Sequence, residues 1–114
     1  MSNLPVRLIA DGISVAPQLT PAAMADAAAA GFKSIVNNRP DHEHGPDQPS
    51  SAQMQLAAEA AGLQYRHLPV SGNYQSPEEI AAFARLLQEL PRPILAFCRS
   101  GARSTNLYLQ AVQR

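Results

Sequence analysis

Five short apolar runs, most of them separated by stretches carrying helix punctuation, set the tightest limit on what this chain can become. They are VRLIA (6–10), ISVA (13–16), KSIVN (33–37), LQYRHLPV (63–70) and ILAF (94–97). Asp11-Gly12 joins the first two and is a strong turn dipeptide. The other intervals read as helices. Thr20-Pro21 supplies an N-cap with proline at the first helical position, and the Ala-rich stretch behind it runs to Gly31 as a stop. Ser50 with Gln53, and Ser76 with Glu79 behind Pro77, read as capping boxes; Gly62 ends the first of these helices. Ile80, Phe83, Ala84 and Leu87 repeat as a buried helical stripe. RSTNLYLQAVQ reads as a closing helix. NRPDHEHGPDQPS (38–50), rich in proline and polar residues, reads as loop.

Helices alternating with buried strands imply a three-layer α/β fold, a mainly parallel central sheet with helices on both faces. Residues 1–114 form one domain, with no linker and no internal repeat. The Ala-rich helix and the helix carrying Met54 and Leu56 read as covers for the sheet. Open sheets of this kind bind ligands beyond the carboxyl ends of their strands. FCRSGARS (97–104) lies there, between the last strand and the last helix.

Composition narrows the function. Nine Lys/Arg balance nine Asp/Glu, and there is no Trp. A nucleic-acid partner normally calls for a basic excess or stacking aromatics, so none is expected. The single cysteine rules out an internal disulfide and suits a reducing compartment. The N-terminal stretch lacks a secretory pattern, and no run reaches the roughly 18 apolar residues of a membrane span. A cytoplasmic protein without a membrane partner is expected. His42 and His44 offer half a metal site, but with only His67 left no closed ligand set forms. No metal or other cofactor is expected.

A lone cysteine at a strand end is usually a small hydrophobe. Three neighbours point to chemistry instead. Cys98 precedes a helix N-terminus, where unpaired N–H groups favour a thiolate. Arg103, five positions on, carries a planar fork that grips two oxygens of a tetrahedral anion. Ser104 adds a hydroxyl able to hydrogen-bond the thiolate. Gly101 permits the positive φ that turns successive N–H groups inward. A nucleophile, a cradle and a clamp fall within seven residues.

ISVAPQLT, GFKSIVNNRPDHEH, QPS, AAEAAGLQYRHLPVSG and ILAFCRSGARS follow one another along nearly the whole chain. In that order they resemble the phosphatase-like domain of the beta-lactamase-hydrolase-like proteins. The resemblance implies a scaffold like the dual-specificity and tyrosine phosphatases. It implies Cys98 as nucleophile, Arg103 as oxyanion binder, and the backbone of Arg99, Ser100, Gly101 and Ala102 as the cradle. It also implies that Asn38 to Asp41 form a loop beside the site. In the family such a domain can be joined to a metallo-beta-lactamase-like sulfur-oxidising domain. This sequence has no such His/Asp box, so a persulfide-oxidising partner would be a separate chain.

Two departures bear on the reaction. Those phosphatases use Cys-x5-Arg, whereas Cys98 and Arg103 are spaced Cys-x4-Arg, which removes one N–H and up to about 3.5 Å of contour. CRSGARS by itself looks like a rhodanese loop, whose cysteine carries a persulfide. The second departure lies in PVSGNYQS (69–76), where the phosphatases place a general acid. Asn73 and Tyr74 are there to line a substrate, but no carboxylate is; Asp41, Glu43 or Asp47 could substitute from the other loop.

The expected reaction is therefore sulfur transfer: Cys98 takes sulfur from a small donor such as thiosulfate and passes it to an acceptor thiol. The alternatives are a weak phosphatase working through a phosphocysteine and a non-catalytic anion-binding module. Arg39 and Asp41 read either as a local ion pair shaping the loop or as site residues. In the second reading Arg39 draws anions in and Asp41 orients Arg103.

Overall fold

The computed structural model describes residues 4–113. Its elements are β1 (Arg7–Ala10), β2 (Ile13–Ala16), α1 (Ala23–Ala29), β3 (Ser34–Asn37), α2 (Ser51–Ala60), β4 (Gln64–His67), α3 (Pro77–Glu89), β5 (Ile94–Phe97) and α4 (Ala102–Val112). A 3₁₀ turn at Gly45–Asp47 is the only regular piece of the 38–50 loop. The five strands form one sheet in the order β1-β2-β5-β3-β4. β1 and β2 make an antiparallel hairpin across Asp11-Gly12, and every other pairing is parallel.

β5 occupies the middle of the sheet, which explains why ILAF has no polar residue: both of its faces are covered. Side chains alternate along it. Leu95 and Phe97 pack with Met24 and Ala27 of α1 and with Met54 and Ala58 of α2. Ile94 and Ala96 pack on the other face with Phe83 and Leu87 of α3 and Leu107 and Ala111 of α4. Each large side chain buried this way contributes about 1.5–3 kcal/mol. The expected three-layer architecture is thus observed. Leu56 departs from the expected core, since it is 72% exposed; α2 turns Met54, not Leu56, to the sheet.

Capping follows the sequence closely at two helices. The boxes Ser50/Gln53 and Ser76/Glu79 are both complete. At α1 the expectation fails by one short turn. Thr20 accepts the Ala23 N–H on its hydroxyl (3.2 Å) and on its carbonyl (3.0 Å), so residues 20–23 form a turn and the helix begins only at Ala23.

The register aligns the strand ends. Ala16 sits opposite Phe97, Phe97 opposite Asn37, and Asn37 opposite His67. Four loops therefore leave the sheet at one lip: those following β2, β3, β4 and β5. No helix among the described residues is long and apolar enough to cross a membrane.

Candidate active site

The cysteine loop is tethered on both sides as it leaves β5. The Cys98 N–H donates to the Ala16 carbonyl (3.3 Å), the Asn38 N–H to the Phe97 carbonyl (2.8 Å), and the Gln18 N–H to the Arg99 carbonyl (3.3 Å). Gly101 caps α4 in the left-handed region at φ 93°, a conformation that other residues adopt only under strain. That turn aims the Gly101 N–H at the Cys98 sulfur, 3.0 Å away. This places a backbone N–H donor at the start of a helix in direct contact with the sulfur. Cys98 itself has no accessible surface, while Arg99 and Ser100 are exposed at the rim.

Arg103 is held by two other loops. Its Nη1 donates to Glu43 Oε2 (2.9 Å) and to the Val70 carbonyl (3.2 Å), and its Nη2 donates to Glu43 Oε1 (2.8 Å). Arg39, buried at 5% exposure, donates from Nε to the same Glu43 oxygen (2.8 Å) and from Nη1 to Gln18 Oε1 (3.1 Å). Its carbonyl accepts from His67 Nε2 (2.8 Å). Glu43 reaches this position because the chain turns back on itself: His42 adopts φ 64° and Gly45 φ 76°. The result is a carboxylate bridging two guanidinium groups. The hydrogen bond from Arg103, reinforced by Arg39, holds the Glu43 carboxyl pKa at about 2, below its ordinary 4.5, against the opposing effect of burial. In turn Glu43 raises Arg103 above the ordinary arginine range, with a smaller contribution from the Cys98 charge.

Asn38 ties the same loops together from below. It is fully buried, accepts the Ser104 hydroxyl on Oδ1 (2.8 Å) and donates from Nδ2 to the Leu68 carbonyl (3.0 Å). Asn38→Ala would leave the buried Ser104 hydroxyl and the half-buried Leu68 carbonyl without their partner, at about 1–3 kcal/mol for the buried hydroxyl alone. A urea midpoint lowered accordingly, with unchanged slope, is the expected result.

Comparison with known proteins fits this geometry. Residues 5–113 match the family described as beta-lactamase hydrolase-like protein, phosphatase-like domain. The chain belongs to this family. A beta-lactamase hydrolase-like protein of Agrobacterium fabrum is 40% identical over 101 residues, 89% of this chain and 23% of that protein. The chain thus spans about a fifth of the length of the curated relatives it matches. Among solved structures, a phosphatase candidate from Neisseria meningitidis superposes with a TM-score of 0.81 at 32% identity, covering 91% of this chain and 72% of the other. TpbA of P. aeruginosa, solved with phosphotyrosine, shares the fold at TM-score 0.67 and 16% identity, over 96% of this chain and 65% of its own.

Within this phosphatase-like domain several sequence expectations need correction. Ser104 does not reach the thiolate, because its one hydrogen goes to Asn38. Arg39 is enclosed and bonded to Glu43 and Gln18, which makes it a loop anchor rather than a substrate contact. Asp41 does not orient Arg103; its carboxylate accepts the Ser51 N–H (2.7 Å) at the start of α2. Asn73 and Tyr74 are exposed, Tyr74 at 66%, and neither side chain is hydrogen-bonded to the site among the described residues. Their loop touches the site through the Val70 carbonyl and Gly72 instead. Among the described residues no three His, Cys, Asp or Glu side chains gather as a metal site.

Glu43 and Asn38 are the residues whose roles the sequence did not reveal. Asn38 had a signal, a second amide directly following an apolar strand. Glu43 had only its place four residues after Arg39 in a loop. Since the Glu43 carboxyl is lowered on folding, its stabilisation is complete above about 4.5 and lost as pH falls towards about 2. Denaturation midpoints across that interval are expected to fall in the parent chain and to lose this component in Glu43→Gln.

Proposed function

We propose that the domain is a cysteine-dependent phosphatase acting on phosphate esters with good leaving groups. The observation that carries this reading is the Cys98 sulfur at the mouth of α4, receiving the Gly101 N–H on a scaffold shared with phosphatases. The thiolate attacks phosphorus, forming an S–P bond as the ester P–O bond breaks. Arg103 and the loop amides neutralise the oxygens of the transferring group. Water then attacks the phosphocysteine, releasing inorganic phosphate and restoring the thiolate. Because Cys98 has no accessible surface, attack requires a local opening at the lip of the sheet.

The leaving-group restriction follows from the missing acid. The 69–76 stretch has no carboxylate, Glu43 stays ionised, Asp41 is engaged by the Ser51 N–H, and Asp47 lies exposed in the 3₁₀ turn with no hydrogen bond to the site among the described residues. General acid assistance is typically worth 10²–10⁴-fold, so alkyl esters, which need a proton on departure, are turned over far more slowly than aryl esters.

Sulfur transfer is the second reading. The Cys-x4-Arg spacing favours it, as does the missing acid, since sulfite departs without protonation. The relatives do not support it. A side-by-side assay of an aryl phosphate and of thiosulfate with an acceptor thiol separates the two, with Cys98→Ser as control. Cysteine-dependent release of phosphate is the expected result. Thiosulfate turnover alone replaces the phosphatase reading, and turnover of neither leaves an anion-binding module.

A further inference from the structure

The five N–H donors of Arg103 divide in an informative way. Glu43 takes the end of the guanidinium, one hydrogen from each terminal nitrogen. The Val70 carbonyl takes the other hydrogen of Nη1. Two donors then have no partner among the described residues: Nε–H and the remaining hydrogen of Nη2. These two lie side by side along one edge of the plane and form the lateral fork that binds a tetrahedral oxyanion through two oxygens.

Gly72 borders that edge. A Cβ built there would lie 3.4 Å from Nε, 3.7 Å from Cζ and 3.8 Å from Nη2. The three near-equal distances place that Cβ over the guanidinium face beside the Nε–Nη2 edge, so glycine leaves the face uncovered and the branches of a larger side chain would crowd it. Charge points the same way. Glu43 bridges Arg39 and Arg103, so the trio keeps one net positive charge, enough to attract an anion.

We infer that Glu43 is a positioning residue: it locks the end of Arg103 so that the free Nε–Nη2 edge is held ready for the oxyanion. The inference rests on the reading of the site as an oxyanion-binding one, without depending on which substrate is turned over. The competing idea, that the Glu43 carboxylate blocks the anion site and must be displaced, predicts the opposite sign. Removing Glu43 adds a positive charge and vacates the end of Arg103, so a blocked site would bind anions more tightly. A positioned fork binds them more weakly, because the freed guanidinium samples many orientations.

The test measures binding without turnover. The intact chain is titrated with inorganic phosphate and separately with thiosulfate, followed by amide chemical shifts of residues 99–104. Glu43→Gln is expected to raise the dissociation constant by about 10-fold or more, the scale of a charge-assisted hydrogen bond lost. Unchanged or tighter binding in Glu43→Gln overturns the inference, as does failure of the parent chain to bind either anion. Should Glu43→Gln not fold, Gly72→Val serves in its place, since Gly72 is exposed and its φ is not in the left-handed region. A comparable loss supports the open edge, and parent-like binding refutes it. In turnover, Glu43→Gln is expected to lower kcat as well as raise KM, with Glu43→Asp recovering part of both, a pattern that loosened packing alone would not give. If both anions bind as described but no aryl phosphate is hydrolysed, the phosphatase reading falls while the positioning role stands.

Discussion

Cys98→Ser is expected to abolish aryl phosphate hydrolysis, by about 10⁴-fold or more, while leaving the fold intact. Serine is close to isosteric with cysteine and can still accept the Gly101 N–H now aimed at sulfur. The surrounding cage of Ala16, Phe97 and Asn38 contacts is made by backbone groups and does not depend on the side chain. Chemistry is another matter. An alcohol at this place stays protonated, and the neighbouring polar groups are committed elsewhere: Ser104 donates to Asn38, and Glu43 pairs with two arginines. A stability change above about 1 kcal/mol accompanying the loss would mean that the cysteine acts in packing, and the kinetic result would then carry less.

Arg103→Lys is the second large effect, with kcat/KM for aryl phosphate expected to fall by about 10²–10³-fold, the range seen when one preorganised donor to a developing charge is removed. Lysine keeps the positive charge and can still meet Glu43. It cannot meet Glu43, Val70 and an oxyanion at once, because an ammonium is a point charge without a planar fork. Retained activity in the lysine variant would show that charge alone suffices and that the donor geometry is irrelevant. Stability is a useful control here. The Arg103–Glu43 pair is partly solvated, with side-chain exposures of 12% and 29%, so its contribution is modest and screened.

What could be read from the sequence was local or periodic. ILAF announced a buried strand because a strand covered on both faces has no polar residue; its central place in the sheet was visible only in the structure. Ser50/Gln53 and Ser76/Glu79 announced their helices because a capping box closes within four residues. Thr20 misled by one turn, since proline after a cap suits a type I turn as well as a helix. The cysteine loop was legible as a motif, and Gly101 as its hinge, because both are decided within a few positions. The partner of Arg103 was not. Glu43 is sixty positions away, in a loop without period, and only the parallel pairing of β3 with β5 brings the two together. The same holds for Ser104, whose hydroxyl meets Asn38 across 66 positions; short spacing to Cys98 suggested a bond that tertiary structure assigned elsewhere. Asn73 and Tyr74 stood in the correct loop, but the backbone of Val70 and the absence of a side chain at Gly72 make its contacts with the site.

Hydrolysis by this route passes through a covalent bond between phosphorus and the sulfur of the single cysteine. Rapid acid quenching of the parent protein during turnover of a labelled aryl phosphate, followed by peptide mapping, reads it directly. Label recovered on the peptide containing residues 97–104, and absent in Cys98→Ser, is the predicted result. Phosphate released at full rate with no label on Cys98, or equally well by the serine variant, would contradict it.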